Sequence, residues 1–117
     1  MSPQISPETL SALEALVGPG NVLTDPDTLA AYGHDEYALN DIRRPADFVV
    51  RPKTAAEVSA ILKIAGLAGI PVTARGGATG LCGGCVPVTG GIVLSLELMN
   101  RVLEIDPVNQ MAVVEAG

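Results

Sequence analysis

Phe48-Val49-Val50-Arg51-Pro52-Lys53-Thr54-Ala55-Ala56-Glu57, continued by Val58 to Gly69 and then by Ile70-Pro71-Val72-Thr73, is the stretch that decides the fold. Thr54 to Glu57 has the spacing of a capping box, in which threonine and glutamate each satisfy a backbone N–H that a helix start would orphan. Val58, Ile61, Leu62, Ala65 and Ala68 then recur at helical spacing, and Gly69 supplies the stop. β-rich segments flank this helix, Phe48–Val50 before it and Ile70–Thr73 after it. Strand, capped helix and strand in this order predict a right-handed βαβ unit with parallel strands.

Two further helix starts lie upstream. Ser6-Pro7-Glu8 sets an N-cap serine before a proline at the first helical position, and Leu10, Leu13, Leu16 and Val17 share a face up to Gly18. Asp25-Pro26-Asp27 repeats the device for a short helix through Leu29 and Tyr32, ended by Gly33. Downstream, Ile92–Leu98, Val102–Ile105 and Ala112–Glu115 read as strands separated by turn residues at Asn100 and at Asp106 to Asn109, which predicts a meander. Leu94, Leu96 and Leu98 are assigned to the core by their alternation with Ser95 and Glu97. The expected fold class is α/β: a small sheet with a parallel βαβ core, extended by the meander, with helices packed on one side.

The totals narrow the class. The chain has 117 residues, enough for about one small domain. Its apolar share is 48% and its mean hydropathy +0.38, so it builds a compact core or keeps a face for something else to cover. No apolar run approaches the ~18 residues of a membrane helix, and the start carries no signal-peptide pattern. A cytoplasmic location is expected. Thirteen acids oppose seven bases, and the bases are scattered, with Arg43-Arg44 the one adjacent pair. Nucleic acid, which requires a basic stripe against its phosphates, is excluded as a partner.

Residues 75–84 read Arg-Gly-Gly-Ala-Thr-Gly-Leu-Cys-Gly-Gly, five glycines in ten positions. Backbone N–H groups turned inward by such a loop make a concavity for an anion, phosphate above all, with Arg75 and the Thr79 hydroxyl as further donors. The alternative is an ordinary mobile surface loop. A triphosphate P-loop is ruled out for want of its lysine. A Rossmann fingerprint is ruled out because more glycines and Pro87, rather than a helix, follow Gly80. Cys82 and Cys85 form a C-x-x-C, compatible with a redox disulfide or half of a zinc site. His34 is the one other soft ligand, more readily a structural histidine than a general base, and Asp35, Glu36 and Asp41 read as a solvated acidic stretch.

Pro52 together with Thr73-Ala74-Arg75-Gly76-Gly77-Ala78-Thr79-Gly80-Leu81-Cys82-Gly83-Gly84 resembles the FAD-binding fold of the p-cresol methylhydroxylase and vanillyl-alcohol oxidase type. The likeness is greatest to FAD-linked 2-hydroxyacid dehydrogenases, such as the glycolate oxidase flavin subunit and D-lactate dehydrogenases, and runs from Tyr32 to Gly117. It implies that FAD is the cofactor. Arg75, Gly76, Gly77, Ala78, Thr79, Gly80, Cys82 and Gly83 would then line the pyrophosphate, and Pro52 would lie near the adenine. It implies a lead-in over residues 1–45 and an incomplete first FAD subdomain over 46–117. The second FAD subdomain and the cap domain, with the acid–base histidine, would belong to a remainder of the same polypeptide. It implies hydride transfer from C2 of a 2-hydroxy acid to flavin N5. Two departures stand out: Cys82 replaces the family's usual serine, and Ala78 occupies the place of the histidine that anchors flavin in some members, so a dissociable flavin is expected. No residue of this chain supplies a catalytic base. The alternative to a flavoprotein part is a module that presents an apolar face and pairs with itself.

Overall fold

The computed structural model describes residues 5–37 and 40–117. Each helix begins where a side chain caps it. Helix α1 (Pro7–Val17) starts at Ser6, whose hydroxyl accepts from the Thr9 amide at 3.2 Å. Helix α2 (Pro26–Ala31) starts at Asp25, whose carboxylate accepts from Thr28 N at 3.0 Å. Helix α3 (Ala55–Ala68) starts at Thr54, which accepts from Glu57 N at 3.2 Å. The Glu57 carboxylate answers on Lys53 N at 2.6 Å, one residue earlier than the usual capping box. Gly69 ends α3 in the left-handed region at φ 65°, where a Cβ would be strained.

Four strands form the main sheet in the order β1 (Val22–Leu23), β2 (Phe48–Val50), β4 (Ile92–Ser95), β3 (Val72–Arg75). β2, β4 and β3 are parallel, and β1 pairs antiparallel with β2 through Val22 opposite Val50. β2 and β3 are thus the parallel strands expected around α3, but β4 lies between them. Both central strands are buried on their two faces, which is why Phe48-Val49-Val50 and Ile92-Val93-Leu94 are unbroken apolar runs. Phe48, Val50, Ile92 and Leu94 pack against Leu13 and Val17 of α1 and Ile61 and Ala65 of α3. Val49 and Val93 face the other way, onto Leu29 of α2 and Ala46. Each such side chain taken from water contributes roughly 1.5–3 kcal/mol.

The helices therefore cover both faces, not one, because the alternation along β2 and β4 gives the sheet a second apolar face that α2 closes. The meander is also redrawn. β5 (Val102–Asp106) and β6 (Met111–Val114) form a two-stranded antiparallel hairpin of their own, with no register to β4. Its turn is held by Asp106, which accepts from the amides of Val108 and Asn109 at 3.0 Å. β4 ends at Ser95, where Met99 N turns back onto Leu96 O at 2.8 Å, so Leu98 lies outside the core at 37% exposure while Leu94 lies within it. β3 starts two residues later than expected. Ile70 N still donates to Ala65 O at 2.9 Å, so the helix cap uses the backbone that the strand would need.

Among the described residues no helix is long and apolar enough to cross a membrane.

Candidate functional site

The parallel strands bring three chain segments to one edge of the sheet: Arg51-Pro52 after β2, Gly76 after β3 and Leu96-Glu97 after β4. In open α/β sheets ligands bind beyond the carboxyl ends of such strands. The glycine-rich loop leaves β3 at this edge and returns as β4.

The loop divides at Gly83. From Gly77 to Cys82 no backbone N–H donates to a protein acceptor, among the described residues. Apart from half-exposed Ala78, these residues are exposed. Beyond Gly83 the amides are used internally: Val86 N to Gly83 O at 3.0 Å, Val88 N to Val86 O at 2.8 Å, Gly90 N to Pro87 O at 2.8 Å. A Cβ added at Gly80 or Gly84 would meet nothing within 4 Å, and one at Gly77 only the Thr79 methyl at 3.9 Å. The fold itself leaves this room beside the backbone. Ala78 sits between Gly77 and Thr79 at φ 57°, a left-handed conformation unusual for a residue with a Cβ and of the kind that turns neighbouring amides to one side. An open row of donors with space beside it fits a diphosphate, the part of FAD that needs them.

The expected contacts separate accordingly. Gly77, Ala78, Thr79, Gly80 and Cys82 lie together in the open stretch, and Gly76 stands at its base with Ala116 O 3.1 Å from where its Cβ would be. Three residues are committed elsewhere. Pro52 is fully buried within this chain. The Gly83 amide donates to the Asp35 carboxylate at 2.8 Å. The Arg75 guanidinium turns back to the lead-in, donating to His34 O at 2.6 Å and Ala31 O at 3.2 Å, and lies 5.4 Å from the Tyr32 ring centroid.

Asp35 corrects the reading of a solvated acidic stretch: Glu36 and Asp41 are exposed, but Asp35 retains only 6% of its surface. Its two oxygens accept from Tyr37 N at 2.9 Å and from Gly83 N. The Tyr37 amide first, then the Gly83 amide, hold its carboxyl below the ordinary range, against the opposite push of burial. The partner amide at Gly83 is 48 positions away, so the sequence carried no local signal of it. His34 serves through its carbonyl, and its ring makes a local contact from Nδ1 to Asp35 O at 3.1 Å. Behind the loop, the Glu97 carboxylate accepts from Tyr32 OH at 2.8 Å and lies 3.4 Å from the Arg51 guanidinium. Burial, then the Glu97 hydrogen bond, raises the Tyr32 phenol. Cys82 and Cys85 are free thiols, with Cys85 Sγ 3.6 Å from Arg75 Nη1. No group of three His, Cys, Asp or Glu side chains could hold a metal, among the described residues.

Known proteins resemble this chain in sequence and in fold. A family model described as an FAD binding domain matches residues 46–117. The chain is 55% identical over 89 residues to a D-lactate dehydrogenase of Archaeoglobus fulgidus, covering 74% of this chain and 20% of that protein. It is 39% identical over 114 residues to the mitochondrial D-2-hydroxyglutarate dehydrogenase of Danio rerio, covering 97% and 21%. The chain thus spans about a fifth of the length of these relatives. Its fold matches p-cresol methylhydroxylase, solved with substrate bound, at a TM-score of 0.79 and 24% identity, over 100% of this chain and 24% of that one.

Proposed function

Because the chain belongs to the FAD binding domain family, we propose that it is the diphosphate-holding part of a flavin-dependent oxidoreductase acting on a 2-hydroxy acid. The observation that carries this is the run of unpaired amides from Gly77 to Cys82. In this reading the N–H groups of Gly77, Ala78, Thr79, Gly80 and Cys82 bind the two phosphates. The exposed Thr79 hydroxyl and Cys82 thiol stand in the same stretch as side-chain donors, the thiol being the weaker. Arg75 contributes its charge from the base of the loop while its hydrogen bonds fix that base to the lead-in. When bound, the flavin supplies the acceptor, at N5, for hydride from C2 of the hydroxy acid. The residues of this chain bind and orient; the proton of the hydroxyl is left to a base outside them. The relatives' names, a D-lactate and a D-2-hydroxyglutarate dehydrogenase, support a D-2-hydroxy acid as substrate. Ala78 offers no nucleophile to flavin, so the cofactor is held without a covalent bond.

The experiment is a titration of the purified protein with FAD, followed by flavin fluorescence and by amide-resolved NMR. Binding should shift the amides of residues 77–82 more than those of α3, and acid precipitation should release all flavin to the supernatant. Saturable binding that leaves 77–82 unmoved would refute the site.

A second reading rests on the hairpin. Val102, Ile105, Met111 and Val114 on the two strands and Val108 in their turn are all exposed, in a two-stranded sheet separate from the main one. Self-association through this surface would appear as a concentration-dependent dimer in sedimentation, abolished by Ile105→Lys.

A further inference from the structure

The segment from Ala31 to Glu36 touches the glycine loop at three separated points. At the loop's start, Arg75 donates to His34 O and Ala31 O. At its middle, Glu36 N donates to Gly80 O at 3.2 Å. At the end of the open stretch, Asp35 takes the Gly83 amide at 2.8 Å. The strap is itself held. Gly33 lies so close to Arg44 that a Cβ would stand 2.2 Å from Arg44 O, and Arg44 N donates to Gly33 O at 2.9 Å. Between the fixed points run the free amides.

We infer that Asp35 is a positioning residue for the FAD site: its carboxylate anchors the Gly83 amide, fixes the far end of the open stretch, and removes Gly83 from the set of atoms that meet the diphosphate. The residue type follows from the geometry. Two N–H donors, Tyr37 and Gly83, reach one oxygen each. An asparagine would turn its NH2 against one of them, and an alanine would leave both unanswered in a site with almost no solvent. A carboxylate beside an anion site opposes the ligand's charge. Its presence there, fully engaged with the loop backbone, is explained by the ordering it imposes, since a loop already fixed loses less entropy on binding. The Arg75 guanidinium is held by the same strap, through the His34 carbonyl.

The inference rests on FAD as the ligand, and the test separates the two. In the wild-type protein a scalar coupling across the hydrogen bond should join Gly83 N to the Asp35 carboxyl carbon, and it should persist when FAD is added. In Asp35→Asn, hydrogen exchange at Gly83 should quicken at least tenfold with α3 unchanged, and the FAD Kd should rise about tenfold. Asp41→Asn, which removes a neighbouring exposed charge, should change neither. If FAD abolishes the coupling, Gly83 is a ligand contact and the inference is wrong. It is also wrong if Asp35→Asn binds FAD as tightly as the wild type, or if α3 exchange quickens equally, which marks a general structural role. If the wild type binds no FAD even with the rest of its polypeptide present, the functional reading falls and takes this with it; if only the variant's expected loss is missing, the functional reading stands.

Discussion

The connection from β3 to β4 holds glycines in two different settings. In the first, Gly77 and Gly80 keep open space where a side chain would be, and the amides up to Cys82 have no protein acceptor. In the second, Gly90 and Gly91 are pressed against the fold, a Cβ at Gly91 standing 2.2 Å from Pro71 O at φ 85°. Gly91 N donates to the Asp47 carboxylate at 2.6 Å, and Gly90 N to Pro87 O. Glycine in the second half is demanded by the chain's own contacts. In the first half nothing within the chain demands it at 77 and 80. The same residue type is pressed into the fold in one place and left exposed with room beside it in the other.

The largest expected effect breaks the second half. Gly91→Ala must carry a Cβ at positive φ into the Pro71 carbonyl, and should lose about 3 kcal/mol in urea unfolding, combining the left-handed penalty with overpacking. The next attacks the first half. Gly80→Val should leave the unfolding midpoint near wild type yet weaken FAD about a hundredfold, or about 2.7 kcal/mol. Unchanged affinity in Gly80→Val would erase the distinction between the halves. A calibration between them comes from Thr54→Ala, which removes the α3 cap and should cost about 1 kcal/mol of stability without moving the loop amides.

The smallest effect is in acid. Asp35 has a folded pKa below its ordinary 3.8, so its contribution is fully present above that value and is lost as pH falls through the folded one. Protonation favours the unfolded chain, where the carboxyl holds its proton more tightly. Below about pH 4 wild-type stability should therefore fall more steeply than that of Asp35→Asn, as urea midpoints measured against pH would record.

Much of the fold was legible because its signals are local. Ser6, Asp25 and Thr54 each cap a helix by reaching three residues ahead, a distance any sequence displays. The glycine-rich connection after β3 was legible as a loop for the same reason. What its polar groups bind within the fold was not: Gly83 and Arg75 donate to a segment more than 40 positions upstream. Pro52 is buried, and burial of that kind depends on what folds over it.

The sequence by itself determined the three α-helices, the α/β class and the exposed glycine-rich strip after β3, since caps, apolar periodicity and glycine content act over a few residues. Only the tertiary structure decided that β4 enters between β2 and β3, that α2 closes the second face, and that Asp35 reaches Gly83. Those outcomes depend on which distant surfaces can be buried against one another, and on which amides remain once every closer acceptor has been used.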